Sequence, residues 1–245
     1  RLARVQQQQR QVAVVNGAVG RHRDNRQTER WIDSVENVTL YYSHISNQAM
    51  AIMLTALSID MPMRPWRLSG TVYGTLLNHV PALASLGDAA NAAPYKAAPK
   101  APVLFVKPRN TLLAPGQPVC APDGDGVWQV GVSLGIVIGR TACRLAESDA
   151  ASVVAGYTMV VDFSVPHESF YRPSVRFKAR DGSCAIGPRV VAVAETESPD
   201  DLAITVAVDG ALVQQASTAN MIRPVTRLLA DVTDFMTLAP GDVLM

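Results

Sequence analysis

The alternation of hydrophobic and polar positions changes near residue 68. Beyond that point the chain has the pattern of strands and turns. GTVYGTLL (70–77) predicts a first short strand, and VLFVKP (103–108) a second that ends on proline. PYKAAPKAP (94–102), between them, carries prolines that a helix interior does not accept. APGQPVCAPDGDG (114–126) is a turn-rich connection. VWQVGVSLGIVIG (127–139) alternates and then becomes continuously apolar, as a strand does inside a core. ESDAASVVAGY (147–157) predicts a helix with Ser148 as its cap, acids in its first turn and Gly156 as its stop. TMVVDFSV (158–165), RVVAVAET (189–196) and LAITVAVDG (202–210) are expected strands, the last closed by an Asp-Gly turn. NMIRPVTRLLADVTDFM (220–236) predicts a helix with Pro224 in its first turn, where proline is tolerated. LAPGDVLM leads into a final strand. These elements predict one mainly β domain, a mixed β-rich α+β fold with two or three helices.

The first 67 residues differ. They hold nine arginines, no lysine and five acidic residues, a formal +4, whereas residues 68–245 hold thirteen basic and sixteen acidic residues, a formal −3. Low-complexity sequence such as RLARVQQQQRQ rarely builds a core. Residues 36–59 are weakly patterned and predict at most a helix. The expected organisation is an atypical extension over 1–67, outside the natural domain or a basic arm of it, and a domain over 68–245 that is truncated at its C-terminal end.

Composition narrows the function classes. With 48% apolar residues, 16 glycines and 16 prolines, the chain is globular and turn-rich. A net charge of +1 gives no reason to expect nucleic-acid binding. No apolar stretch approaches the roughly 20 residues of a membrane span. Cys120, Cys143 and Cys184 are widely spaced and form no CxxC, which suggests reduced thiols in a cytoplasmic protein. GxGxxG, P-loop, GxSxG and HExxH motifs are all absent.

The candidate chemistry lies in MVVDFSVPHESFYRPSVRFKARDGSC (159–184). An apolar run ends on Asp162, and His167, Glu168, Arg172, Arg176, Lys178, Arg180 and Asp181 follow closely. A carboxylate at the end of a buried strand must be hydrogen-bonded, paired or metal-bound. His167 and Glu168 are adjacent, and neighbouring loop residues usually point apart. Lys178 and Asp181, three apart, are placed to line one pocket. From the residues alone, a salt-bridged loop and a site for an anion or a metal both remain open.

Five strings in order, YGTLLNH, PYKAAPKAPVLFVKPRNTL, GIVIGRTA, AGYTMVVDFSVPHESFYRPSVRFKARDGSCAIGP and LAPGDV, resemble the fumarylacetoacetate hydrolase family over roughly residues 68–245. The resemblance implies a β-roll with a few peripheral helices. The PYKAAPK loop and the SFYRP…KARDG…IGP segment favour the branch that isomerises and decarboxylates intermediates of 4-hydroxyphenylacetate breakdown, and within it the N-terminal half or subunit. Members use Mg2+ or Mn2+ held by a Glu-x-Glu pair and an Asp, hard oxygen ligands that suit such ions. Here the glutamate positions fall on Gly131 and Ser133, and Asp162 matches the third ligand. The resemblance therefore implies that the metal is held by a paralogous C-terminal-type domain or subunit.

It also implies that Lys178 and Asp181, in KARD, are the catalytic pair, the lysine standing beside an enolate. Arg172, Arg176 and Tyr171 would contact a dicarboxylate or tricarboxylate keto-acid substrate. Arginine suits a carboxylate contact and a subunit interface equally well. The activities implied are decarboxylation of 5-oxopent-3-ene-1,2,5-tricarboxylate and isomerisation of 2-hydroxyhepta-2,4-diene-1,7-dioate. A metal-free structural role and an acylpyruvate-type hydrolase are the alternatives.

Overall fold

The computed structural model describes residues 70–113, 116–120, 127–167, 171 and 174–245, together with the backbone of residues 39–42. The chain is mainly β, and its larger sheet curls into a half-barrel. In chain order the strands are β1 (Thr39–Tyr42), β2 (Val72–Leu76), β3 (Val103–Lys107), β4 (Leu112–Leu113), β5 (Gln129–Ile138), β6 (Val154–Ser164), β7 (Cys184–Ile186), β8 (Val191–Ala192), β9 (Ala203–Val208), β10 (Ala211–Ser217) and β11 (Val243–Leu244). Among the described residues three short α-helices accompany them: α1 (Val80–Ala84), α2 (Val175–Lys178) and α3 (Val225–Thr233). The larger sheet runs β3-β2-β11-β5-β6-β7-β4, with β8 also paired to β6. A smaller sheet runs β1-β9-β10. Among the described residues no helix is long and apolar enough to cross a membrane.

Strands β5 and β6 form the spine, an antiparallel ladder from Gln129↔Ser164 to Ile138↔Val154. Alternation assigns their side chains to two faces. Leu134, Ile136, Ile138 and Tyr157 point to one face and pack with Val225, Leu228, Leu229 and Val232 of α3. Those helix positions are spaced i, i+3, i+4 and i+7, the stripe that an amphipathic helix buries. Burying a leucine of this kind contributes about 1.5–3 kcal/mol. Asp200 Oδ1 accepts the Val225 N–H at 2.8 Å, so a residue far back in the chain satisfies the start of α3. The opposite, inner face carries Val72, Val137, Val160, Ile186 and Val243.

Buried Asp242 explains the LAPGDV string. Its two carboxylate oxygens accept the N–H groups of Thr71 at 2.6 Å and Ala239 at 2.7 Å, fixing the last turn and docking the start of β2 onto β11.

Several sequence expectations are corrected. The 36–59 segment contains strand β1, paired antiparallel with β9, where a helix was expected. The 147–157 helix is a 3-10 segment over Glu147–Val153 whose cap position is Ala146, so Ser148 does not cap it. Its C-terminal part becomes β6, because VVAGYTMVV is rich in β-branched residues that pair along the sheet. Gly156 is not a helix stop but a point of close approach, where a Cβ would run into the Val191 carbonyl. The 189–196 strand shrinks to Val191–Ala192 followed by a 3-10 turn. The 220–236 helix shortens to Val225–Thr233, with Pro224 at its cap position. The Asp-Gly hairpin is present: Asp209 and Gly210 have φ of 52° and 77°, the backbone of a primed turn.

Candidate functional site

The site forms at the open end of the spine, on the inner face. Gly131, Asp162 and Cys184 lie in one row across β5, β6 and β7. Lys107 sits on edge strand β3, with β2, β11 and β5 between it and β6 in the sheet order. The curl nonetheless brings its ammonium to 2.5 Å from Asp162 Oδ1. Lys178, at the end of α2, folds over the same row, and its Nζ pairs with Asp162 Oδ2. One buried carboxylate is therefore gripped by two ammonium groups.

Lys107 is the more deeply held of the two, with no side-chain exposure. Its Nζ donates to the carbonyls of Lys178 at 2.6 Å, Ser183 at 3.0 Å and Phe163 at 3.1 Å. The Ser183 hydroxyl lies 3.2 Å away. This cage replaces the water that a lysine loses on burial. Burial still pulls the Lys107 pKa below its ordinary value, while the Asp162 charge opposes that shift. Lys178 has fewer partners. Beyond Asp162 it has Ser164 Oγ at 3.5 Å and the ring of Phe105, whose centroid is 4.1 Å from the ammonium. Phe105 fits there because the facing residue is Gly74, where any Cβ would meet the ring. Burial pushes the Cys184 thiol up to about 12, making it a packed, inert neighbour of the triad.

The remaining expected residues are spread around this centre. Asp181 does not join Lys178; it lies exposed, and its Oδ1 accepts from Asn110 Nδ2 at 2.5 Å. The short helix α2 accounts for this, because it turns Lys178 inward and leaves the following turn outside. Arg176 is exposed on α2, and Tyr171 is exposed with its ring edge-on to Tyr95, centroids 6.3 Å apart. His167 stacks on Phe177 at 4.8 Å and is held by the Val165 carbonyl through Nδ1 at 3.0 Å. Glu168 and Arg172 lie outside the described residues.

Lys107 was missed from the sequence although its signal is present. In VLFVK the residues Val103, Phe105 and Lys107 share a face by alternation, which places the lysine inward with the phenylalanine.

The fumarylacetoacetate hydrolase C-terminal family model matches residues 71–245. The chain belongs to this family. Among curated relatives, the 4-hydroxyphenylacetate degradation bifunctional isomerase/decarboxylase of Escherichia coli is 38% identical over 178 residues, 73% of this chain. The chain spans 40% of the length of that relative. The crystal structure of 5-carboxymethyl-2-hydroxymuconate delta-isomerase from Mycobacterium smegmatis superposes with a TM-score of 0.59 at 28% identity, covering 72% of this chain and 66% of that one. Fumarylpyruvate hydrolase from Pseudomonas aeruginosa, crystallised with Mn2+ and pyruvate, shares the fold at 24% identity with a TM-score of 0.59, covering 71% of this chain and 76% of that one.

Against the family's metal chemistry, this member's donor set does not fit a divalent ion. A side chain at Gly131 would project beside Asp162, whose carbonyl oxygen and Cβ lie 3.8 and 4.0 Å from the Cβ position. That position offers no oxygen here, and Ser133 two residues on offers only a hydroxyl. Both Asp162 oxygens are engaged by ammonium groups. Among the described residues no group of three or more His, Cys, Asp or Glu side chains could hold a metal. Mg2+ and Mn2+ favour several hard oxygen ligands, which are absent from this row.

Proposed function

We propose that this chain is the N-terminal component of a 4-hydroxyphenylacetate-degrading isomerase/decarboxylase, acting on 5-oxopent-3-ene-1,2,5-tricarboxylate and 2-hydroxyhepta-2,4-diene-1,7-dioate. It works as the metal-free half beside a paralogous domain or subunit with an intact Glu-x-Glu site, where the expected Mg2+ or Mn2+ is held. The observation that carries this reading is the Asp162 row: one carboxylate, two lysines, and glycine and serine at the glutamate positions. Similarity to the bifunctional isomerase/decarboxylase, of which this chain spans 40%, supports the choice of branch. In this reading Arg176 and Tyr171, both exposed, meet a multiply charged substrate or the partner's surface.

The same row favours a second reading, in which the chain is catalytically silent and only supports an active paralogue. An acylpyruvate-type hydrolase is disfavoured, because its activated water needs the same missing oxygen ligands.

The test combines the full chain with a Glu-x-Glu paralogue and Mg2+ and follows release of carbon dioxide from 5-oxopent-3-ene-1,2,5-tricarboxylate. Turnover that requires both polypeptides, and falls when Arg176→Ala is introduced here, is the expected result. Turnover by this chain alone would overturn the half-site reading. A paralogue equally active without this chain would leave only the supporting role.

A further inference from the structure

Helix α2 carries Lys178 to Asp162, yet its own sequence does little to keep it there. It has four residues, and a helix of one turn is too short to be stable alone. Of those residues only Lys178 is buried, and a charged side chain supplies no apolar anchor. Among the described residues none of its side chains joins a hydrophobic cluster, in contrast to the four that α3 contributes. Ser174 stands at the N-cap position without capping, and its buried hydroxyl makes no hydrogen bond among the described residues. What holds the helix is a clasp at the open end of β6. Val165, the residue after that strand, donates its N–H to the Phe177 carbonyl at 2.9 Å. Its own carbonyl accepts from His167 Nδ1 at 3.0 Å. The rings of His167 and Phe177 then close the loop, stacked 4.8 Å apart with 5° between their planes. Phe177 immediately precedes Lys178 in the chain.

We propose that His167 is a positioning residue for Lys178, acting through its stack on Phe177. Lys107 fixes one point of α2 by donating to the Lys178 carbonyl at 2.6 Å, and a helix held at one point can still turn about it. The clasp fixes a second point, and two points set the direction in which the Lys178 side chain leaves the backbone. A histidine suits this task because one flat ring supplies both the donor to Val165 and a stacking face, and aromatic pairs at this separation attract. With the clasp open, α2 loses its second hold and Lys178 leaves Asp162 for solvent, while Lys107 keeps its own pairing. The placing of Lys178 needs no partner subunit, so it can be tested whether or not the half-site reading holds.

The test is reductive methylation of the full chain with formaldehyde and cyanoborohydride, each lysine being followed by peptide mass spectrometry. In the parent, Lys107 and Lys178 should label at least tenfold more slowly than exposed Lys96 and Lys100. His167→Ala should speed Lys178 at least fivefold. Lys107 should stay within twofold of the parent, because Asp162 and the carbonyls of Phe163 and Ser183 hold it from outside α2. His167→Phe, which keeps a ring, should return Lys178 to within twofold of the parent, whereas His167→Asn, which keeps a polar donor without a ring, should label like the alanine variant. Unchanged Lys178 labelling in His167→Ala would overturn the proposal. Should His167→Ala speed Lys107 as well, that variant has loosened as a whole, and the decision passes to the other two. Slower Lys178 labelling in His167→Phe than in His167→Asn would then uphold the clasp, and equal labelling would overturn it.

Discussion

Gly131 and Gly135 stand on the same strand and the same face, four residues apart, and they do opposite things. A Cβ at Gly135 would come within 2.7 Å of Val160 and 3.1 Å of Thr158 and Val243, so its absence lets the inner core close. A Cβ at Gly131 would meet nothing nearer than 3.8 Å, so its absence leaves the charged row open. Between them β5 passes from a site to a core without a break in its pairing with β6. Backbone hydrogen bonding is thus indifferent to function at this spine. What differs is which side chains the inner face receives, and the same residue type serves packing at one end and access at the other.

The largest effect is expected at the charged end of the spine. Asp162→Asn keeps the shape but leaves two ammonium groups with no counter-charge, and a cost of about 3–5 kcal/mol in denaturant unfolding is expected. Adding Lys178→Met to that variant should recover part of the loss, because the like-charge contact is gone; a double-mutant cycle with no coupling would refute the triad.

A smaller effect tests the glycines themselves. Gly135→Ala should destabilise by about 1–3 kcal/mol through overpacking, while Gly131→Ala should stay within about 0.5 kcal/mol of the parent. Equal urea midpoints for the two variants would erase the distinction.

The smallest effect is in pH. Because burial lowers the Lys107 pKa from 10.5, the unfolded chain binds the proton more readily than the folded one between the lowered value and 10.5. Stability assigned to Lys107 therefore rises as pH increases through that window. Relative to Lys107→Met, the parent should gain stability between neutral and alkaline pH, and a flat difference in unfolding free energy would contradict it.

Much of this spine was legible in the sequence. The switch in VWQVGVSLGIVIG from alternation to an unbroken apolar run marks where β5 enters the core, and Asp162 declared itself as a carboxylate on a buried strand. The family resemblance found Lys178 and the two empty glutamate positions. Lys107 was overlooked because the proline after it looked like a strand end, while its burial depends on a curl created by three intervening strands. The 147–157 segment misled for a related reason: Gly156 fits a helix stop locally, and only the approach of Val191 shows why a strand needs it. Strand β10 gave little signal because its outer residues, Leu212 and Val213 among them, are exposed and lie outside any core pattern. Asp181 and Lys178 are close in sequence but on opposite sides of a turn, a separation that spacing alone does not reveal.

Strand β11 couples the two parts of the larger sheet. It is only two residues long, yet it lies between β2 and β5, parallel to the first and antiparallel to the second. Within the sheet the β2–β3 pair is therefore joined to the spine through residues 243 and 244, and the Thr71–Asp242 hydrogen bond closes a separation of 171 residues. Because β11 follows every other strand of the sheet in the chain, β2 gains its parallel sheet neighbour only after β5 and β6 have been made. Such a long closure puts the half-barrel, and with it the meeting of Lys107 and Asp162, late in folding, leaving the edge of β2 open to wrong partners in the meantime.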